Sequence, residues 1–152
     1  MSLLTDTSIL VRLANVDDSQ YEVAARAVAE LRRRGETLFV AAQNLTEFWN
    51  VGTRPKSANG LELARGRVIE RIKWFETRFV IAQETPEVWP ALQSLYQQVE
   101  IIGKQIHDAR LVAVCHVQGI ASVLTFNARH FTRYSNVPPG INVVEPAAII
   151  QS

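Results

Sequence analysis

Short apolar runs alternate along the 152-residue chain with longer segments in which apolar positions recur three or four residues apart. The short runs are bounded by polar or glycine-containing turns and predict five β-strands. The predicted strands cover residues 2–5, 37–41, 79–82, 121–126 and 141–144. Strands that alternate with helices favour a mainly parallel sheet with right-handed crossovers. The pattern therefore predicts an α/β fold, a three-layer α/β/α sandwich in one domain over residues 1–152.

The longer periodic segments predict the helices that cover this sheet. A short helix begins after Asp6-Thr7-Ser8, and a second begins after Asp17-Asp18-Ser19-Gln20 and ends at Arg32-Arg33-Arg34-Gly35. Basic residues at a helix C-terminus suit the helix dipole, which explains this arginine run. Further helices are predicted over residues 43–52, 61–76, 85–100 and 105–117. The last of these is apolar on nearly all sides, which predicts a position in the middle of the domain.

Composition narrows the class of protein. An apolar fraction of 47% with 20% charged residues is typical of a globular domain. No apolar run reaches the eighteen or so residues that span a bilayer, and Met1 leads directly into the first strand, so we expect a cytoplasmic protein without a membrane partner. The single cysteine, Cys115, excludes an internal disulfide and most cysteine-based metal sites. A net charge of +1 gives no signal for nucleic acid by itself.

Positive charge is nevertheless concentrated in one quarter of the chain. Residues 54–78 contain seven lysines or arginines against three acids. A solvated helix face accounts for most of this excess, but the same excess could follow a phosphate backbone. The sequence leaves both interpretations open.

Three carboxylates occupy positions that a parallel sheet would bring to one edge. Asp6 follows the first strand, Glu47 lies in the helix after the second, and Asp108 is in the first turn of the apolar helix. Asp6 alone could simply cap the next helix. Together, the three would repel one another and raise each other's pKa unless a cation neutralised them. An all-oxygen donor set suits Mg²⁺ or Mn²⁺, and the chemistry that such an ion favours here is phosphodiester hydrolysis.

Four stretches resemble the motifs of the PIN-domain family, and in size and detail those of VapC-type toxins from bacterial toxin–antitoxin pairs. In chain order they are Leu4-Thr5-Asp6-Thr7-Ser8-Ile9-Leu10, Asn44-Leu45-Thr46-Glu47-Phe48, Gly103-Lys104-Gln105-Ile106-His107-Asp108-Ala109 and Leu124-Thr125-Phe126-Asn127-Ala128-Arg129-His130-Phe131. Any one of them is a weak signal. Four in order and at family spacing make a specific one.

This resemblance implies a PIN-like sandwich and a metal-dependent endoribonuclease acting on an RNA substrate. By position, Asp6, Glu47 and Asp108 become the metal-binding and catalytic carboxylates, with Ser8 and Thr125 as supporting hydroxyls. Many members carry a fourth acid where this chain has Asn127, an amide that adds no charge. We therefore expect one well-held ion and at most a weak second. The resemblance also implies toxin activity, a homodimer and a small antitoxin protein whose tail blocks the acidic crevice.

Other residues near the motifs have competing interpretations. His107, His116 and His130 are interpreted as structural or surface residues rather than metal ligands, since the family site is built of oxygens. Trp49 and Trp74 are interpreted as core or subunit-interface residues rather than stacking platforms. Weaker candidates for RNA contact are the basic residues near the expected cleft: Arg12, Arg54, Lys104 and Arg110.

Two further functions are weighed against the ribonuclease. A PIN scaffold lacking the fourth acid could bind RNA or a protein without cutting it, and Asn127 is the discriminating position. A receiver domain or a haloacid-dehalogenase-type phosphatase shares the α/β pattern. The receiver needs an acid after the third strand, where this chain has Ala82-Gln83, and the phosphatase needs one at Ser8. The residues at these positions exclude both the receiver domain and the phosphatase.

Overall fold

A five-stranded sheet, parallel throughout, forms the centre of the molecule in a computed structural model that describes residues 1–152. Its strands are β1 (Ser2–Thr5), β2 (Thr37–Ala41), β3 (Val80–Ala82), β4 (Ser122–Leu124) and β5 (Asn142–Val144). Their spatial order is β3-β2-β1-β4-β5, with β1 in the middle. The predicted parallel sheet is therefore confirmed, without an antiparallel strand.

Seven α-helices cover the two faces of the sheet. They are α1 (Thr7–Leu13), α2 (Tyr21–Arg33), α3 (Ala42–Thr53), α4 (Arg65–Arg78), α5 (Val88–Gln98), α6 (Gln105–Gln118) and α7 (Pro146–Gln151). Leu3 and Leu4 point to opposite faces of β1, as neighbours in a strand must. Leu4 packs in a core with α5 and α6, and Leu3 packs in a second core with α1 to α4 and α7. The α/β/α sandwich is confirmed.

The helix α6 is buried as predicted. Residues Leu111 to Cys115 are all buried, so this helix packs with apolar neighbours on nearly every side. Burial raises the pKa of the Cys115 thiol to about 12, which keeps it protonated and unreactive at neutral pH. None of the seven helices is long and apolar enough to cross a membrane.

Helix α4 starts later than the sequence pattern predicted, at Arg65 rather than at residue 61. The amides of Leu61 and Leu63 donate to the carbonyls of Val51 and Gly52 at the end of α3. Glu62 between them has a positive φ of 53°, which a helix does not allow. This segment is therefore not helical, because its amides donate to the end of α3.

Other elements also differ from prediction. The fourth strand is shorter, since only Ser122–Leu124 pair within the sheet. Thr85-Pro86-Glu87 form a turn, and α5 begins at Val88. The C-terminal helix α7 was not predicted from sequence. It is only six residues long, too short to show a helical period.

The chain order of the strands creates a crevice between β1 and β4. From β1 the chain builds β2 and β3 on one side, then returns to place β4 and β5 on the other. In open parallel sheets, ligands bind outside the carboxyl ends of the strands at such a switch point. Asp6 follows β1 and Thr125 follows β4, so the sheet places both residues there.

Candidate active site

Asp6 is fixed at the switch point by the residues that follow β4. Its backbone amide donates to the Leu124 carbonyl at 3.0 Å, extending the pairing of β1 with β4. Its buried carboxylate oxygen Oδ2 accepts hydrogen bonds from the Ser8 and Thr125 hydroxyls, each at 2.8 Å. Hydrogen bonds to a buried carboxylate are among the stronger ones in proteins. The carboxylate is thus held in one orientation.

The two hydroxyls are themselves positioned by backbone groups. The Phe126 amide donates to Ser8 Oγ at 3.1 Å, and the Asn127 amide donates to Thr125 Oγ1 at 2.8 Å. Each hydroxyl therefore accepts a hydrogen bond from a backbone amide that follows β4 and donates its own hydrogen bond to Asp6. This chain of bonds connects the first and last sequence motifs, so the structure brings Asp6, Ser8 and Thr125 together.

Glu47 is positioned from α3 through a second set of polar contacts. Thr7 Oγ1 donates to Glu47 Oε1 at 3.0 Å, and the side chain of Asn44 donates to Thr7 Oγ1 at 3.2 Å. Asn44 is fully buried and also accepts from the amide of Ala41 at 2.8 Å, where β2 passes into α3. Burial raises the pKa of Glu47, and the charges of Asp6 and Asp108 raise it further, against the lowering effect of Thr7. Only hydrogen bonds, and no positive charge, act to stabilise the ionised form of this carboxylate.

Asp108 extends into the same cleft from the first turn of α6. Its Oδ2 lies 3.4 Å from Nδ1 of His130. Burial raises the pKa of Asp108, and the charge of Asp6 raises it further. Positive charge on His130, His107 and Arg133 acts in the opposite direction. Two acids of the site therefore have raised pKa values, which is characteristic of functional clefts.

A cleft of about 520 Å³ joins these side chains. It is lined by the three acids, by Ser8 and Asn127, and by a basic and polar rim that includes Arg12, Lys104, Gln105, His107, His130 and Arg133. Arg12 donates to the Ser8 carbonyl at 3.0 Å and lies 4.7 Å from the centre of the Phe126 ring. Its guanidinium is therefore fixed at the cleft wall.

Two residues predicted to contact RNA lie outside this lining. Arg110 is paired with Glu84, and Arg54 donates to the Asn59 carbonyl in the loop before α4. His116 is also elsewhere, with Nε2 at 3.1 Å from the Gly140 carbonyl and a pKa lowered by burial. Trp49 and Trp74 are each more than a third exposed and lie outside the cleft.

The donor chemistry of the cleft fits a hard divalent cation. Asp6, Glu47 and Asp108 offer carboxylate oxygens, and two of these groups have raised pKa values that a cation would relieve. Such oxygen donors match Mg²⁺ or Mn²⁺. No three of the chain's acidic, histidine or cysteine side chains are grouped closely enough to hold an ion as they stand. Ion binding would therefore draw the acids together.

Sequence reasoning missed several residues that build this site. His130 and Arg133 reach it because the chain after β4 forms two 3₁₀ turns, Ala128–His130 and Thr132–Tyr134, that fold back beside Asp108. Turns this short have no hydrophobic periodicity and no run of charges by which the sequence could predict their course. The role of Asn44 was also missed, although Asn in the first turn of a helix after a strand is a common way to bond nearby backbone amides.

The chain belongs to the PIN-domain family: the family model matches residues 3–137. The family resemblance drawn from the four motifs is therefore confirmed. No curated protein matches the sequence.

Solved structures of VapBC and VapC proteins share the fold at low identity. One is VapBC2 from Rickettsia felis bound to a promoter DNA fragment, with a TM-score of 0.69 at 15% identity, covering 95% of this chain and 98% of that one. Another is VapBC-1 from nontypeable Haemophilus influenzae, with a TM-score of 0.66 at 16% identity, covering 97% and 99%. A third is VapC20 from Mycobacterium tuberculosis, described as a toxin that cleaves the sarcin–ricin loop, with a TM-score of 0.58 at 15% identity, covering 80% and 86%.

Proposed function

We propose that this protein is a Mg²⁺- or Mn²⁺-dependent endoribonuclease that acts as the toxin of a VapBC-type pair. The observation that carries the proposal is the cleft at the switch point, where Asp6, Glu47 and Asp108 converge beneath a basic rim. Membership of the PIN-domain family and the fold shared with VapC proteins support it.

The residues of the cleft divide into two roles under this proposal. Asp6, Glu47 and Asp108 hold the ion, with Ser8 and Thr125 fixing Asp6 and Asn127 supporting the site. A bound divalent ion supplies an acidified water and stabilises charge on the leaving oxygen. Arg12 and Lys104 on the cleft wall bind the phosphates on either side of the cleaved bond and orient the strand. The negative charge of the acids alone would repel RNA, so this basic rim is necessary for binding.

The partners under this proposal are an RNA substrate, a small antitoxin and a second copy of the chain. The fold neighbours include toxin–antitoxin complexes, which supports the antitoxin.

We also propose that residues 1–152 form one cytoplasmic PIN domain. Sedimentation of the purified chain tests the homodimer. Growth of bacteria after induction of the wild type or of Asp6→Asn tests the toxin role, with arrest expected only for the wild type.

Cleavage of a mixed RNA pool tests the enzyme directly. The reactions contain Mg²⁺, Mn²⁺ or EDTA, and compare the wild type with Asp6→Asn and with Asp17→Asn, a control at an exposed acid. We expect cleavage with either ion, none in EDTA, and a rate at least ~100-fold lower for Asp6→Asn, since a metal supplies several kcal/mol of transition-state stabilisation. Asp17→Asn should match the wild type.

Two results would contradict the proposal. One is cleavage that EDTA and Asp6→Asn leave unchanged, which would locate the activity elsewhere or in a contaminant. The other is no cleavage with either ion together with no ion binding by calorimetry. If that protein still bound RNA, the non-cutting PIN module would be the better description.

A further inference from the structure

We propose that an arginine ladder on α4 binds single-stranded RNA that extends beyond the cleft. The ladder consists of Arg71, Trp74 and Arg78, together with Arg32 from α2. The inference rests on the proposed ribonuclease function, and it adds a second, sequence-tolerant contact with the same substrate.

The ladder is built by helical spacing. Arg71, Trp74 and Arg78 are three and then four residues apart, which places them on one face of α4. The guanidinium carbons of Arg71 and Arg78 lie 5.3 and 5.1 Å from the Trp74 ring centre. Arg32 lies 5.2 Å from the ring centre of Phe79 and donates to the Arg78 carbonyl. Contact with the rings keeps these long side chains in defined positions.

The positive charge of the ladder is not neutralised within the chain. No carboxylate oxygen lies within 4.0 Å of the Arg32, Arg71 or Arg78 guanidinium groups. Arginines 33, 34 and 110, by contrast, all pair with glutamates. The charge of Arg78 adds to the effect of burial in lowering the pKa of Arg32, so the two like charges are close enough to interact. A surface of this kind attracts a polyanion.

The aromatic rings between the arginines favour a nucleic acid over an acidic protein segment, since arginine edges alone pair equally well with carboxylates and phosphates. Arginine stacked on a ring keeps its N–H edges free, and these edges match phosphate oxygens in pairs. Aromatic side chains beside a basic surface are the usual elements of single-strand binding. A second copy of this chain is disfavoured, because a two-fold contact through this patch would bring its arginines against those of the partner.

The ladder lies outside the cleft, on the helix that follows the segment paired with the end of α3. The segment before α4 pairs with the end of α3, where Val51 lines the cleft, so α4 begins close to that wall of the cleft. It then runs towards β3, which follows it, and its 14 residues rise by about 21 Å. Arg71 lies at the middle of α4 and Arg78 is its last residue, so only an RNA longer than the cleft holds can reach both.

Binding and cleavage of RNAs of two lengths test this inference. The probes are a four-nucleotide and a twenty-nucleotide single-stranded RNA, both labelled and both measured in EDTA at several salt concentrations. The variant is Arg71→Gln with Arg78→Gln. The matched control is Arg26→Gln with Arg33→Gln, which removes the same charge from another face of α2. Thermal unfolding confirms that both variants fold.

For the ladder variant we expect about 5- to 20-fold weaker binding of the long RNA. The slope of log K against log salt should fall in magnitude by about 1.4, the value for two lost phosphate contacts on a single strand. Affinity for the short RNA, and its cleavage with Mg²⁺, should equal those of the control. Replacing both arginines by lysine should restore part of the affinity and the slope.

Three outcomes would overturn the inference. The first is a long-RNA affinity and salt slope equal to those of the control. The second is a change in sedimented mass, which would assign the ladder to an interface between copies. The third is unchanged RNA binding with lost affinity for polyglutamate, which would assign it to an acidic protein segment. Failure of the ribonuclease proposal is a separate result, since it appears as no cleavage by the wild type of either RNA.

Discussion

Thr125 shows how one buried hydroxyl supports both the fold and the proposed chemistry. It is fully buried, donates to Asp6 and accepts from the Asn127 amide. Loss of its hydroxyl would leave a buried carboxylate with one donor fewer. Hydrogen bonds to charged groups contribute about 1.5–3 kcal/mol, more than neutral ones do.

We therefore expect Thr125→Val to lower the free energy of unfolding by about 1.5–3 kcal/mol and to slow RNA cleavage. Urea unfolding and cleavage rates measure the two effects. Thr46→Val is the matched control, because the Thr46 hydroxyl bonds only to the Ala42 carbonyl on the exposed side of α3. Its effect should stay within about 0.5 kcal/mol. Equal effects of the two substitutions would show that the Asp6 contact is unimportant.

At the residue scale, the sequence identified the acids and the hydroxyls but not the contacts that orient them. Asp6, Ser8 and Thr125 were predicted as one site, and their mutual hydrogen bonds follow from the pairing of β1 with β4. The approach of His130 to Asp108 depends on two short turns whose course no sequence period encodes. Their catalytic and supporting roles stay predictions until the variants are measured.

Helix α7 shows that a short element can contribute more to the fold than its sequence suggests. It packs against α2, and its Ile149 is buried in the core on that side of the sheet. Arg34 donates to the Ile149 carbonyl at 3.1 Å and to Ser152, so the end of α2 also caps the end of the chain.

We expect Ile149→Ala to lower the free energy of unfolding by about 2–4 kcal/mol, because it removes buried methyl groups and leaves a cavity. Denaturant unfolding measures this. Ile102→Ala is the control, since Ile102 is 65% exposed and should cost less than about 0.5 kcal/mol. A small effect of Ile149→Ala would mean that α7 frays from the core.

At the element scale, prediction succeeded where burial alone decides structure. The strands β1 and β2 and the helix α6 are apolar runs with clear boundaries, and their positions were predicted to within a residue. The predicted start of α4 was wrong because the amides of Leu61 and Leu63 donate to carbonyls of α3. Hydrophobic periodicity carries no information about such a tertiary contact. Tertiary contacts of this kind commonly override local preference.

For the whole molecule, the cleft concentrates negative charge that the folded state must accommodate. The pKa of Glu47 is raised, first by burial and then by Asp6 and Asp108, so the folded chain holds this proton more tightly than the unfolded chain does. The stability that protonated Glu47 contributes is fully present below the ordinary pKa of a glutamate. It is lost as the pH rises through the raised pKa.

We accordingly expect Glu47→Gln to be more stable than the wild type at neutral pH in EDTA, because the amide has no proton to lose. The difference should vanish near pH 4. Thermal unfolding across pH measures it, with Glu100→Gln at an exposed site as the control. Added Mn²⁺ should make the wild type the more stable of the two, because the ion stabilises only the wild type. A variant less stable than the wild type in EDTA at neutral pH would contradict the argument.

The hydrogen bonds on Asp6 also restrict which ions the cleft can accept. A carboxylate oxygen has two lone pairs, and those of Oδ2 are both occupied by the Ser8 and Thr125 hydroxyls. Only Oδ1 is left, so Asp6 can offer a single contact. Calcium prefers seven or so ligands and often takes both oxygens of an acid, whereas magnesium is satisfied by single contacts and retained waters. The same two hydroxyls that orient Asp6 should thereby discriminate against calcium, which would compete poorly with magnesium for this protein.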